Sequence, residues 1–131
     1  MNRYLLIDDE EVFNFIHAQI ITMADPDASI SEIRSSKEAL NFLRKNASDP
    51  SALPDVILLD INMPEINGFE LLEELTPIYP TMARKPLFYM VTSSLFESDR
   101  NRAESFGMLT GFKEKPITAA DIREMAGKLS G

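Results

Sequence analysis

Val56-Ile57-Leu58-Leu59-Asp60 places four large apolar side chains directly before a carboxylate. Two other stretches repeat this pattern: Leu5-Leu6-Ile7 leads into Asp8-Asp9, and residues 87–91 lead into Thr92. Short apolar runs of this kind are typical of strands that are buried on both faces of a parallel sheet. Because ligands of such sheets bind beyond the carboxyl ends of the strands, we expect a polar site along one edge.

The rest of the chain alternates between strand and helix patterns, which predicts a doubly wound α/β domain. The first helix should bury a stripe of apolar residues spaced three and four apart: Val12, Phe13, Ile16, Ile20 and Met23. His17, the single histidine, is interpreted as a surface or half-buried residue of that helix. The predicted strands cover residues 4–8, 29–34, 56–60, 87–92 and 110–114, and three of the helices cover about 11–23, 98–106 and 118–129. Ser36 is predicted to cap the second helix, whose inner face would carry Ala39, Leu40, Leu43 and Ala47, and Gly68 is predicted to open the third.

The composition limits the classes of function. The 131 residues suit one domain, and 44% hydrophobic with 26% charged residues is ordinary for a globular protein. A net charge of −8 argues against direct nucleic-acid binding, and the absence of cysteine excludes disulfides and thiolate sites. No apolar run approaches the roughly 18 residues of a membrane span, and the apolar run near residue 5 is too short for a signal peptide. The expectation is a cytoplasmic protein without membrane contact.

Three carboxylates at one sheet edge predict a bound cation. Asp8, Asp9 and Asp60 would repel one another, by roughly 3 kcal/mol for a pair about 5 Å apart at an effective dielectric constant of 20. A hard divalent ion relieves this repulsion, and Mg²⁺ fits best because it combines a few carboxylates with waters and phosphate oxygens. The predicted cofactor is therefore Mg²⁺.

The other polar groups at the predicted edge suit phosphoryl transfer. A carboxylate such as Asp60 can act as a nucleophile towards phosphorus. Lys115 supplies a positive charge and Thr92 a hydrogen-bond donor, and in-line transfer needs chiefly positioning and charge neutralisation. The peptide before Pro116 has a lowered cost for the cis form.

In the order and spacing of these motifs the chain resembles the receiver domains of two-component response regulators, the CheY-like family. The resemblance spans essentially all 131 residues and implies a parallel sheet of strand order 2-1-3-4-5. It implies one receiver domain over residues 1–131 with no output domain. It rests on Asp8-Asp9, Asp60 followed by Ile61-Asn62-Met63-Pro64, Gly68, Thr92, and Lys115-Pro116.

The resemblance also implies a role for each site residue. Asp60 would accept phosphate, and Mg²⁺ would be held by Asp8, Asp9, Asp60 and the backbone carbonyl of Asn62. Thr92 and Lys115 would contact the phosphoryl group, and Phe112 would follow the movement of Thr92. Two residues depart from the usual pattern of the family. The position of Phe112 is often occupied by tyrosine, and that of Ser93 is usually occupied by alanine. Asn62 and Ser94 match positions that tune hydrolysis of the acyl phosphate, and Pro64, Gly68 and Pro116 match structural positions.

The implied function is signalling rather than catalysis on a substrate. The phosphodonor would be a sensor histidine kinase or a histidine phosphotransfer protein, and the downstream effector is not identified by the sequence. The output would be a changed surface on the fourth helix, fifth strand and fifth helix. The protein would be a monomer or a phosphorylation-dependent dimer, and it would promote only its own phosphorylation and dephosphorylation.

Three other functions would each need features that differ from those of this chain. A phosphatase of the haloacid-dehalogenase type would need an aspartate at Asn62 and room for a cap domain. A flavodoxin-like carrier of FMN would need a phosphate loop where this chain has Asp8-Asp9-Glu10-Glu11. A receiver-like binding module that works without phosphorylation would usually lack an acidic or lysine position, and none is missing.

Overall fold

The computed structural model describes residues 1–93 and 96–130. Its strands are β1 (Arg3–Ile7), β2 (Ser29–Ile33), β3 (Val56–Asp60), β4 (Leu87–Thr92) and β5 (Leu109–Glu114). Its α-helices are α1 (Glu11–Ala24), α2 (Ser36–Asn46), α3 (Gly68–Leu75), α4 (Glu97–Glu104) and α5 (Ala119–Ser130), and a short 3₁₀ turn covers Tyr79–Thr81.

All five strands run parallel in one sheet of order β2-β1-β3-β4-β5. This confirms the predicted fold class and strand order. The central strand β3 is buried along its whole length, as its continuous apolar run predicts. Its last residue, Asp60, pairs with Val91, one position before the end of β4. The carboxyl ends of the three central strands therefore meet at the same edge.

The two faces of the sheet carry separate hydrophobic cores. Along β3, Ile57 and Leu59 point into the core covered by α2, α3 and α4. Val56 and Leu58 point into the core covered by α1 and α5. This arrangement leaves only the strand ends open to polar groups, so the fold itself concentrates polar chemistry at the edges of the sheet.

The predicted buried face of α1 is confirmed only in part, since Phe13, Ile16 and Ile20 are half-buried. Val12 and Met23 are 69% and 78% exposed, whereas Asn14, His17 and Ile21 are buried. Asn14 Nδ2 donates to the backbone carbonyl of Asp8, and the imidazole of His17 accepts from another backbone amide. Because two polar side chains with specific partners occupy the innermost face, the buried face of the helix is rotated away from the apolar stripe.

The helix starts differ slightly from the predicted ones. The N-cap of α2 is Ser35, whose hydroxyl accepts from the amide of Glu38, and not Ser36. In α3 the N-cap Asn67 and the side chain of Glu70 form a reciprocal capping box. This cap defines where α3 begins, immediately after the loop that leaves Asp60.

The helix α4 is attached mainly through polar side chains. Ala103 is the one buried residue in this fully described helix. The guanidinium of Arg102 lies 4.5 Å from the ring centroid of Phe69 and 2.9 Å from Glu73 Oε1, both on α3. The guanidinium of Arg100 lies 5.8 Å from the ring centroid of Phe112 on β5. Stacking and charge thus replace the usual apolar stripe on α4.

Candidate functional site

Three carboxylates converge at the carboxyl edge of the sheet. Asp8 follows β1, Asp9 lies next to it, and Asp60 ends β3. One carboxylate oxygen from each lies within 4.8 Å of the others. Asp8 and Asp60 are buried, and Asp9 is partly exposed. The three acidic groups that the sequence predicts at one edge of the sheet therefore lie close together in the fold.

The ammonium group of Lys115 lies inside this cluster. Its Nζ atom is 2.6 Å from Asp8 Oδ2 and 3.0 Å from Asp60 Oδ1. The backbone amide of Lys115 donates to the carbonyl of Thr92 at 2.8 Å, which ties the residue after β5 to the end of β4. The peptide between Lys115 and Pro116 is cis.

Burial and charge shift the ionisation of the two central groups. Burial raises the pKa of Asp60 to about 6, and the negative charge of Asp8 adds to this effect, while Lys115 works against it. Burial alone would lower the pKa of Lys115, but hydrogen bonding and attraction to Asp8 and Asp60 outweigh it and raise that pKa. Lys115 therefore stays protonated, whereas burial and the negative charge of Asp8 disfavour the charged form of Asp60.

The donor set fits a hard divalent cation. Asp9 Oδ1 and Asp60 Oδ2 are buried and accept no hydrogen bond from any residue that the structure describes. One ammonium against three carboxylates leaves an excess of negative charge. Oxygen ligands of this kind match Mg²⁺ better than a soft metal. The side chain of Asn62 is exposed, and the role of its backbone carbonyl as a ligand remains a prediction.

The loop after Asp60 is held by close backbone packing. The amide of Gly68 donates to the carbonyl of Ile61 at 2.8 Å. A Cβ atom on Gly68 would lie 2.5 Å from the carbonyl oxygen of Asp60. Met63 is buried, and Pro64 is exposed and accepts a hydrogen bond from Ser36 through its carbonyl. Position 68 thus requires glycine because two backbone segments approach each other closely there.

The remaining predicted site residues that the structure describes are Thr92, Phe112 and Pro116. Thr92 is buried at the end of β4, beside Lys115. Phe112 is partly buried on β5, opposite Met90, and packs against the core under α3 and α4. Pro116 is exposed, and Ser94 lies outside the described residues. The tuning and switching roles of these residues stay predictions.

Three residues of α1 and its N-terminus contribute contacts that the sequence analysis did not assign. Glu10 Oε1 is 3.4 Å from Lys115 Nζ, and the ring centroid of Phe13 is 4.4 Å from the same atom. His17 is 2% exposed, so its interpretation as a surface or half-buried residue is wrong. Its Nε2 atom accepts from the amide of Ile117 at 3.3 Å. Only the position of Glu10 beside Asp9 could have signalled any of these contacts.

Comparison with known proteins identifies the family. A family profile described as "Response regulator receiver domain" matches residues 4–127. A solved two-component response regulator from Cytophaga hutchinsonii superposes with a TM-score of 0.89 at 30% sequence identity, covering 99% of this chain and 97% of that one. A regulator from Legionella pneumophila gives a TM-score of 0.80 at 24% identity, over 99% and 98% of the two chains, and supports the fold alone.

Two curated relatives are longer proteins. The chain is 31% identical over 121 residues to a protein-glutamate methylesterase/protein-glutamine glutaminase of Methanospirillum hungatei, covering 88% of this chain and 31% of that protein. It is 28% identical over 128 residues to the two-component response regulator ORR1 of Oryza sativa, covering 95% and 54%. The chain therefore spans about a third to a half of these relatives, and it belongs to the response regulator receiver domain family.

Proposed function

We propose that this receiver domain takes a phosphoryl group onto Asp60 in a Mg²⁺-dependent reaction. The observation that carries this proposal is the contact between Asp60 Oδ1 and Lys115 Nζ at 3.0 Å inside a buried cluster of carboxylates. A buried carboxylate beside a buried ammonium supplies a nucleophile and a charge for the phosphoryl oxygens in one place.

The proposed step exchanges one bond to phosphorus for another. An unprotonated oxygen of Asp60 attacks the phosphorus atom and forms the new P–O bond of an acyl phosphate. The bond from phosphorus to the donor atom breaks, and its electron pair leaves with the donor. The leaving group is an imidazole when the donor is phosphohistidine and acetate when it is acetyl phosphate. Lys115 neutralises charge on the transferred oxygens.

The proposed metal ligands are Asp8, Asp9 and Asp60, together with the backbone carbonyl of Asn62. When bound, Mg²⁺ supplies further positive charge for the phosphoryl oxygens. The support from this chain is the pair of buried oxygens without a donor among the described residues, Asp9 Oδ1 and Asp60 Oδ2. A buried acceptor left in this state is costly unless a cation is bound there.

The proposed partners are a histidine kinase or a histidine phosphotransfer protein as donor, and an effector protein that reads the α4–β5–α5 surface. We further propose that residues 1–131 act as one cytoplasmic receiver domain whose output is this surface, with no enzymatic activity beyond its own phosphorylation cycle. Thr92 and Phe112 would carry the change to that surface. Among residues 1–93 and 96–130, no helix combines the length and the hydrophobicity that a membrane span requires.

The test is the intact mass of the protein after incubation with Mg²⁺ and acetyl phosphate. We expect one added phosphoryl group that base removes, and none with Asp60→Asn or without Mg²⁺. Asp27→Asn, a change at an exposed aspartate in the turn after α1, is the matched control and should be phosphorylated like the wild type.

An adduct that survives in Asp60→Asn would contradict the assignment of the nucleophile. If no adduct forms, beryllofluoride binding in the presence of Mg²⁺ separates two cases. Binding would indicate a short-lived acyl phosphate on Asp60. Absence of binding, with Mg²⁺ bound, would contradict the proposed function.

A further inference from the structure

Glu10 reaches the ammonium group on which the proposed chemistry depends. Its Oε1 atom lies 3.4 Å from Lys115 Nζ, which makes it the third carboxylate at this ammonium after Asp8 and Asp60. The two side chains differ sharply in exposure, since that of Lys115 is 1% exposed and that of Glu10 is 52% exposed. A half-exposed carboxylate thus contacts a buried cation.

A polar residue at the start of a helix usually caps it through its side chain, but Glu10 does not. Glu10 is the N-cap residue of α1, yet its side chain makes no capping hydrogen bond. Its backbone amide donates to Asp8 Oδ1 at 2.9 Å, and its carbonyl accepts from the amide of Asn14. These bonds hold the backbone of Glu10 against the site, so the side chain remains available to contact Lys115.

From these contacts we propose that Glu10 competes with the incoming phosphoryl group for Lys115 and thereby sets the rate at which Asp60 is phosphorylated. The inference rests on the proposed function. Lys115 already pairs with Asp8 and Asp60, and a phosphoryl group that needs the same ammonium must share it with the half-exposed carboxylate of Glu10. The carboxylate of Glu10 and the phosphoryl group are both negative and would meet at the same ammonium, so they repel each other. Partial burial strengthens this repulsion.

The proposal implies a dependence on the charge of the phosphodonor. A more negative small donor, such as acetyl phosphate, is repelled by Glu10 more strongly than the less negative phosphoramidate. A protein donor that brings positive side chains to the rim would offset the same charge. Glu10 therefore favours a phosphodonor protein with a basic surface around its phosphohistidine over free anionic donors.

The experiment compares Glu10→Gln with Glu11→Gln. Glu11 is the neighbouring residue, its side chain is 80% exposed, and it lies 3.8 Å from Arg34 and not at Lys115. Both variants remove one negative charge from the same turn, so they share any general effect of net charge. Three quantities are measured: the phosphorylation rate with each small donor, the affinity for beryllofluoride with Mg²⁺, and the affinity for Mg²⁺ alone.

We expect Glu10→Gln to accelerate phosphorylation by acetyl phosphate roughly fivefold to tenfold, with a smaller gain for phosphoramidate. Beryllofluoride should bind it more tightly by a similar factor, and Glu11→Gln should stay within about twofold of the wild type. Affinity for Mg²⁺ should change little. In the ligand-free protein, the NMR signal of the Lys115 ammonium should move in Glu10→Gln and not in Glu11→Gln.

Two results would overturn the inference while leaving the proposed function intact. One is a Glu10→Gln variant that matches Glu11→Gln in rate and beryllofluoride affinity. The other is a loss of Mg²⁺ affinity in Glu10→Gln with slower phosphorylation, which would make Glu10 part of the metal site. If the wild type itself neither becomes phosphorylated nor binds beryllofluoride, the proposed function fails and the inference fails with it.

Discussion

A Cβ atom on Gly68 would lie 2.5 Å from the backbone carbonyl oxygen of Asp60. The first residue of α3 therefore packs directly against the last residue of β3, which carries the candidate nucleophile. No side chain fits between these two backbone segments. The position of Asp60 depends on this contact as well as on the strand that it ends.

Replacing Gly68 by alanine should disturb both stability and the site. We expect Gly68→Ala to lower the free energy of unfolding by about 1–3 kcal/mol, because the obstructing atoms are backbone and must shift. Phosphorylation of Asp60 should slow as well. Urea denaturation and the intact-mass assay measure the two effects.

The matched control is Gly127→Ala, where an added Cβ atom would meet no heavy atom within 4 Å apart from the neighbouring residues and the backbone of its own helix. Gly127 lies inside α5, so this change should raise stability by up to about 1 kcal/mol through helix propensity. A Gly68→Ala protein that is as stable and as reactive as the control would refute the packing argument.

Neutralising Asp60 should stabilise the metal-free protein. Burial and Asp8 raise the pKa of Asp60 to about 6, so its charged form is disfavoured by folding at neutral pH. We expect Asp60→Asn to raise the free energy of unfolding by about 1–3 kcal/mol without Mg²⁺. Added Mg²⁺ should stabilise the wild type far more than the variant. Thermal unfolding with and without the ion measures both effects.

Asp27→Asn removes an exposed carboxylate remote from the site and should respond to Mg²⁺ like the wild type. An equal Mg²⁺ response in the wild type and in Asp60→Asn would show that the ion binds elsewhere. A lower stability of metal-free Asp60→Asn would show that attraction between Lys115 and Asp60 stabilises the fold more than repulsion among the carboxylates destabilises it.

His17 should make stability fall in mild acid. Burial lowers its pKa from 6.5 to about 4, and the nearby charge of Lys115 contributes to this shift. The unfolded state therefore binds a proton more readily, so the stability from neutral His17 is complete above 6.5 and is lost as the pH falls towards 4. We expect His17 to account for a loss of about 2 kcal/mol between about pH 7.5 and about pH 5.

Comparison with His17→Gln isolates this effect from the carboxylates, which titrate in both proteins. The variant keeps a side-chain acceptor for the amide of Ile117 and loses the titrating imidazole. Urea denaturation across the pH range should give a shallower curve for the variant. Parallel curves for the two proteins would show that His17 is not the group responsible.

Removing the stacking arginine of α4 should loosen that helix alone. Arg102 contributes a cation–π contact with Phe69 and an ion pair with Glu73 to a helix that buries only Ala103. We expect Arg102→Gln to lower the local opening free energy of α4 by about 1 kcal/mol. Hydrogen exchange of the α4 amides measures this change, and global stability should move by less than about 0.5 kcal/mol.

The control is Arg123→Gln, a change at an exposed residue of α5. It should leave exchange in α4 as in the wild type. Unchanged α4 exchange in Arg102→Gln would mean that Ala103 and the backbone are sufficient to attach the helix.

Much of the fold followed from local patterns in the chain. The apolar runs that end in Asp8, Asp60 and Thr92 placed three strands within about one residue of their observed ends. The pattern worked because strands buried on both faces need continuous apolar stretches, which few other structures use. The convergence of Asp8, Asp9 and Asp60 followed from parallel strand direction alone.

The inner face of α1 could not be obtained in this way. Its apolar residues mark one stripe, yet Asn14 and His17 occupy the buried face because the fold supplies a partner for each. A hydrogen bond between residues distant in sequence, such as His17 with Ile117, leaves no local signal. Hydrophobic periodicity reflects the transfer of side chains from water into the core and carries no information about such hydrogen-bond partners.

The sequence by itself determined the alternation of elements and the chemical groups at one sheet edge, because both depend on residue type and short spacing. Only the tertiary structure decided which groups touch. It placed Lys115 between Asp8 and Asp60, set Gly68 against the backbone of Asp60, and brought Glu10 Oε1 to within 3.4 Å of Lys115 Nζ. The physical reason is that these contacts join residues far apart along the chain, and packing of the whole domain sets their distances.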